Sequence, residues 1–225
     1  MPTASASASC VRPDESLTPE DYERARRLLM RRDPVLGGIV KQIGPCGLAA
    51  RQRNDHLTAL IGAIVSQQLS TKAAATIFGR FVALFPGGEI PGASAIDGIS
   101  AEALRGVGLS GQKIGYLRDL CARIADGRLE LEALDTLTDD EVVERLTAVK
   151  GFGRWTAEMF LIFNLLRPNV LPLDDPGLIQ GISQNYFSGE PVSRSDAREV
   201  SANWEPWRTV ATWYLWRSLD PVAVE

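Results

Sequence analysis

Residues 137–165 read LTDDEVVERLTAVKGFGRWTAEMFLIFNL, a helix, a tight turn and a second helix. Val142, Val143 and Leu146 recur at helical spacing on a short first helix that runs into Lys150-Gly151-Phe152-Gly153. A strongly apolar helix is predicted to follow, from Arg154 to about Leu166. Two glycines flanking one apolar residue allow a sharp turn and a close approach of backbone. The turn also leaves the first amides of the second helix without intrahelical partners. With the helix dipole, these amides form a phosphate site that needs few basic side chains. An ordinary helical hairpin ended by glycine accounts for the same residues equally well.

The helical period extends in both directions. Thr18-Pro19-Glu20-Asp21 supplies a cap, a proline at the first helical position and two acids for the dipole, opening a helix that should reach about Arg32. Leu57, Leu60, Ile61, Ile64 and Val65 make one apolar stripe. Ala74, Ile77, Phe78, Phe81 and Leu84 make another after Ser70 as cap, and Ile114, Leu117, Cys121 and Ile124 a third. Residues 86–99, rich in Gly and Pro, are expected to form a loop. The last helix should run from about Pro206 to Leu219. On it Trp207, Val210, Ala211, Tyr214 and Leu215 share a core stripe, while Trp216 falls on the opposite side. A tryptophan so placed needs another cover, either a ligand pocket or a second helix. The best strand candidate, Val170-Leu171-Pro172-Leu173, is demoted by its proline. The fold class expected is all-α.

Composition bounds the function classes. The chain has 225 residues, 45% hydrophobic and 23% charged, enough for one domain or two packed lobes. The first nine residues are small and polar and precede Cys10, so residues 1–15 are expected to be a disordered leader and residues 16–225 the folded part. No apolar run approaches the roughly 18 residues needed to span a bilayer, which suits a cytoplasmic protein with no membrane partner. Cys10, Cys46 and Cys121 lie far apart and make neither a disulfide framework nor a zinc or iron–sulfur set. His56 is the only histidine, so metal sites and Ser–His or Cys–His triads lose their usual members; it is expected to be a polar residue near a helix start. Net charge is −4, unusual for a chain that grips DNA. Residues 105–123, however, carry Arg105, Lys113, Arg118 and Arg123 against Asp119 alone. Residues 145–167 carry Arg145, Lys150, Arg154 and Arg167 against Glu158 alone. Such segments suit DNA and suit solvated surface equally.

The segment after the hairpin, NVLPLDDPGLIQGI at 169–182, breaks the tie. Asp174 and Asp175 at a helix start could be simple caps. Their spacing, though, resembles the helix-hairpin-helix–GPD superfamily of base-excision DNA glycosylases, in which such a hairpin is followed, about twenty residues on, by an apolar loop ending in the catalytic aspartate. Three further motifs match in order: Ala-Ile-Val-Ser-Gln-Gln-Leu-Ser at 63–70, Gly106-Val107-Gly108-Leu109-Ser110 with Lys113, and Trp204-Glu205-Pro206-Trp207-Arg208. The last of these is similar to the 3-methyladenine DNA glycosylase II branch. The resemblance covers roughly residues 55–218.

It implies a two-lobed helical fold and a monomer that acts on alkylated bases in double-stranded DNA. Asp175 falls at the catalytic position, and Trp155 and Trp216 at the aromatic walls of the base pocket, with Met159 where some relatives carry an aromatic. Gln68 falls where a side chain wedges into the gap left by the extruded nucleotide. Gly151 and Gly153 match the hairpin glycines, and Lys150 and Arg154 are assigned to DNA contact. The carbonyls of Thr147, Val149 and Phe152 sit where relatives hold a monovalent cation beside a phosphate; no other cofactor is implied. Departures are equally specific. Lysine-using bifunctional relatives carry their amine at the position of Trp155, which implies a purely hydrolytic enzyme here. The four-cysteine cluster of some relatives is missing, the N-terminal β-domain of longer ones cannot fit, and Met159 and Pro176 replace aromatics. The alternatives are a glycosylase for oxidised bases and a DNA-binding hairpin module without catalysis.

Overall fold

The computed structural model describes residues 15–51 and 53–220, so the leader expected at 1–15 lies, apart from Glu15, outside the described residues. Among the described residues there are twelve α-helices and no strand. None of these helices is long and apolar enough to cross a membrane.

The chain forms two compact units, one from residues up to 50 together with those from 166 onward, the other from residues 51–165. The first contains α1 (Pro19–Arg32), α2 (Pro34–Ile43), α10 (Pro176–Tyr186), α11 (Arg194–Ser201) and α12 (Arg208–Ser218). Thr18 caps α1 in a reciprocal box with Asp21, with Pro19 in the first turn as the sequence predicts. Helices α2 and α10 both pack on α12. Its residues Val210, Ala211, Tyr214 and Leu215 are fully buried, as the stripe requires.

Asp33 pins this unit. Its carboxylate caps α2 by accepting from the Leu36 amide at 3.0 Å, and it also accepts from the Tyr186 hydroxyl at 2.6 Å and the Trp204 indole at 2.9 Å. Burial, and then the hydrogen bond to Asp33, push the Tyr186 phenol above its ordinary range.

The second unit holds α3 (His56–Ser66), α4 (Thr71–Val82), α5 (Ala93–Asp97), α6 (Ala101–Gly106), α7 (Gly111–Ala125), α8 (Asp139–Thr147) and α9 (Arg154–Phe163). Side chains of Asp55, Ser70, Ser100, Ser110 and Thr138 cap α3, α4, α6, α7 and α8.

Four expectations need correction. Residues 86–99 are not wholly loop: Pro86–Gly88 form a 3-10 turn, and Ala93 and Ile96 bury one face of α5, which packs on α7. There Arg118 donates to the Ile96 carbonyl and the Asp97 carboxylate, each at 3.0 Å. Burial overrides the Gly/Pro composition. The apolar helix after the hairpin stops at Phe163 rather than Leu166: Asn164 is its C-cap, and Leu166 takes φ +55°, which cannot continue a right-handed helix. The last helix starts at Arg208 rather than Pro206, because the chain turns at 204–207 to bury both Trp204 and Trp207. The α4 stripe is incomplete, since Leu84 lies past the helix and is exposed.

Removing the Asp33 carboxylate strands two buried donors and a helix amide. Asp33→Ala is expected to cost about 3 kcal/mol of unfolding free energy, read as a lower urea midpoint at unchanged slope. A loss below about 1 kcal/mol would mean that water replaces these bonds.

Candidate DNA interface and active site

The 51–165 unit carries the hairpin. Helix α8 ends at Thr147, Val149 and Phe152 turn inward, and the Phe152 amide donates to the Val149 carbonyl at 3.1 Å. The carbonyl-bearing residues Thr147, Val149 and Phe152 thus sit within one tight turn. Gly151 takes φ +85°, and a Cβ there would lie 2.3–2.5 Å from the Tyr116 ring of α7. Both its conformation and its contact demand glycine. Gly153 differs. Its backbone, φ −102° and ψ 175°, suits any residue, and a Cβ would meet nothing within 4 Å. The turn therefore does not need this glycine, contrary to the expectation that both glycines make the bend. What it leaves is open space directly before the first amides of α9, where no side chain caps the helix.

Helix α7 also braces the turn through Asp119, whose carboxylate accepts from the Lys150 amide at 2.9 Å and from Arg123 at 2.8 Å. Burial pushes that carboxyl up, but the Lys150 amide and Arg123 outweigh it and hold it below the ordinary carboxylate range. The Lys150 ammonium extends into solvent, 4.0 Å from Asp119. Arg154 is exposed at the head of α9 and donates to the buried Glu158 at 2.9 Å.

The α3–α4 loop is tied to the hairpin by Gln67, whose side-chain amide donates to the Gly151 carbonyl at 2.8 Å. Lys113 supports it from beneath, donating to the Val65 and Gln67 carbonyls at 2.7 and 2.8 Å. Burial lowers the Lys113 ammonium from its ordinary value. These braces hold Gln68 at φ +57°, a left-handed conformation that a non-glycine residue adopts at a cost of roughly 1–3 kcal/mol. The Gln68 side chain is exposed.

Gln68 also lines a cleft of about 610 Å³ within this unit, together with Trp155, Met159, Phe78, Phe160 and Asn164. Trp155 is 43% exposed despite its size. At one wall Asn164 bonds His56 Nδ1 at 2.9 Å, while His56 Nε2 lies 3.0 Å from Asp135. His56 is indeed the first residue of α3, but it also bridges two polar partners.

The other unit carries Asp175 and Trp216. Asp175 caps α10 and is 7% exposed, so the cap reading and the site reading fall on one residue. Its Oδ1 accepts from the Leu178 amide and from the Trp216 indole N–H, both at 2.7 Å. Asp174 is more exposed and pairs with Arg194. The loop entering Asp175 is fixed to the start of α12: the Val170 amide donates to the Thr209 hydroxyl at 3.1 Å, and that hydroxyl donates to the Arg167 carbonyl at 2.6 Å. Trp216 lies off its helix's core stripe, half-buried, as the helical wheel requires.

Sequence reasoning missed Gln67, Tyr116 and Asp119. Tyr116 and Asp119 lie three apart on α7, off the Ile114–Leu117–Cys121 stripe, and that offset was the available signal. Cys46 and Cys121 are buried free thiols, pushed up by burial to about 12 and about 11. Among the described residues, no group of three or more His, Cys, Asp or Glu could hold a metal ion.

Comparison with known proteins decides the family. Residues 61–208 match the model of the HhH-GPD superfamily base excision DNA repair proteins. The chain belongs to the HhH-GPD superfamily. Among HhH-GPD relatives, a DNA-3-methyladenine glycosylase 1 of Schizosaccharomyces pombe is 35% identical over 168 residues, 74% of each chain. A solved DNA-3-methyladenine glycosidase from Bacillus halodurans superposes with a TM-score of 0.78 at 36% identity, covering 86% of this chain and 88% of that one. A 3-methyladenine DNA glycosylase of S. pombe solved in complex with abasic DNA gives a TM-score of 0.75 at 33% identity, covering 87% and 96%. The all-helical HhH-GPD fold expected from the sequence is the one observed.

The two hairpin glycines should separate by assay. Gly153→Ala is expected to leave unfolding free energy within about 0.5 kcal/mol of the parent while weakening duplex affinity, damaged or not. Gly151→Ala should lower the unfolding midpoint itself. Equal stability losses in both variants would remove the distinction.

Proposed function

We propose that this chain hydrolyses the N-glycosidic bond of alkylated, cationic purines in duplex DNA, as a monofunctional base-excision glycosylase. The observation that carries the reading is Asp175, a buried carboxylate at the head of a helix, held by two short bonds directly after an apolar loop. The names of the relatives, 3-methyladenine glycosylases among them, point the same way.

The target base lies inside the stack, so the nucleotide must be extruded at a cost of a few kcal/mol. Gln68, exposed and braced, would fill the gap. Amides at the head of α9, with Lys150 and Arg154 beside them, would take the phosphate backbone, which suits an acidic protein. The carbonyls of Thr147, Val149 and Phe152 are hard oxygen donors suited to a monovalent cation that would neutralise phosphate charge there. The C1′–N bond then breaks with its electron pair leaving on the base, and water adds to C1′ and loses a proton. A carboxylate stabilises the positive charge that develops on the sugar. Alkylation at N3 or N7 makes the purine cationic, a better leaving group that aromatic faces attract by about 0.5–2 kcal/mol per contact. Trp155, in the cleft that Met159 lines, would supply one such face, and Trp216 another. An indole stands at residue 155, where lysine-using relatives carry an amine, so no Schiff base forms there.

Asp175→Asn should abolish base release from methylated duplex while retaining affinity for it. A surviving rate within tenfold of the parent, a loss below about 1.4 kcal/mol of barrier, would sink the assignment.

Borohydride should trap no covalent adduct between protein and DNA, and the product strand should stay intact until alkali is added. In competition, 3-methyladenine and 7-methylguanine should be released ahead of 8-oxoguanine; the reverse order would favour an oxidised-base enzyme.

A further inference from the structure

Trp216 has so far been a candidate aromatic wall, a role that uses only its face. Its edge is engaged as well. Nε1 donates to Asp175 Oδ1 at 2.7 Å, the same oxygen that caps the Leu178 amide at 2.7 Å. Two donors on one oxygen, from two different helices, fix rotation of the carboxylate plane, which a helix cap alone leaves freer. Charge-assisted bonds of this length are about twice as strong as neutral ones.

A second observation concerns the space around that bond. A Cβ on Gly177 would lie 3.0 Å from Trp216 Cδ1, 3.1 Å from Asp175 Oδ1 and 3.2 Å from Trp216 Nε1. All three contacts are tighter than side chains ordinarily tolerate, and all three fall on the pair itself. Gly177 has no positive φ to explain it. Its missing side chain is the space through which the indole reaches the carboxylate.

We infer that Trp216, through its N–H, and Gly177, through the room it leaves, are positioning residues for Asp175. The inference rests on Asp175 acting in the reaction. Neither residue need touch the reacting atoms for this role. Trp216 sets the angle at which the carboxylate meets the developing sugar cation, and Gly177 permits that contact. Through the N–H and the room left for it, both govern the rate of bond cleavage rather than the affinity for DNA.

The test replaces Trp216 with β-(3-benzothienyl)alanine, which keeps the bicyclic face and volume but has sulfur in place of the N–H. Single-turnover base release at saturating enzyme should slow by roughly tenfold or more, equivalent to about 1.4 kcal/mol of barrier. Affinity for lesion duplex should stay within about twofold, because the face is retained. Gly177→Ala should likewise lower the cleavage rate at near-parental affinity, with at most a modest fall in the unfolding midpoint as the pair shifts. Parental cleavage by the isostere would overturn the inference and leave Trp216 as a wall. Loss of affinity with an unchanged cleavage rate would do the same. Asp175→Asn run alongside separates the two readings: if it cleaves normally, the role of Asp175 fails. If it is inactive while the isostere is not, only the positioning role fails.

Discussion

A buried carboxylate is tolerated only when donors surround it, and donors have fixed reach. That constraint organises the unit built from both chain ends. Asp33 gathers a phenol, an indole and a helix amide, and Asp175 gathers an indole and a helix amide. In each case the acid caps a helix whose second residue in chain order is preceded by proline, so the amide donor arrives without any search for conformation. The tryptophans are then not interchangeable bulk. Trp204 and Trp216 are each aimed by the one polar atom they own.

The 51–165 unit solves a different problem, holding a turn still from outside. Tyr116 lies under Gly151, Asp119 accepts the next amide back along the chain, and Gln67 donates to the Gly151 carbonyl. Rigidity supplied this way leaves the outer side of the turn bare, where the first amides of α9 begin. A net charge of −4 is then no obstacle to the proposed role, because helix-head amides need few basic side chains to attract an anion. Asp119 shows the balance involved: it places an acid beneath the proposed anion site, yet the Lys150 amide and Arg123 keep that charge engaged with the protein.

The helices were legible wherever polar caps and apolar period agreed, as at Thr18–Arg32 and in the stripe on α12. They were misjudged where burial acts against composition. Helix α5 forms in a Gly/Pro-rich segment because Ile96 is buried and Arg118 takes its last carbonyls. The start of α12 shifts because two tryptophans, four and one residues before it, both turn inward. Within the candidate site, period showed that Trp216 faces away from its own core, but not what it faces. A hydrogen bond across forty-one residues leaves no trace in local spacing. Gly153 carried the opposite error: its type was read as a turn requirement, and only backbone angles show that the turn would accept another residue.

The way the chain threads through its two units has a consequence for synthesis. Residues 51–165 are contiguous, whereas the other unit waits for its last helix. Domains fold as units as the chain emerges at roughly 5–20 residues per second. The 51–165 unit, with its hairpin, can therefore fold before Trp216 is translated, and α1 and α2 must stay unpaired with α12 for about 10–30 seconds at that rate. During that interval the faces that α1 and α2 later pack on α12 are open to any passing surface, and so to chaperones and to aggregation.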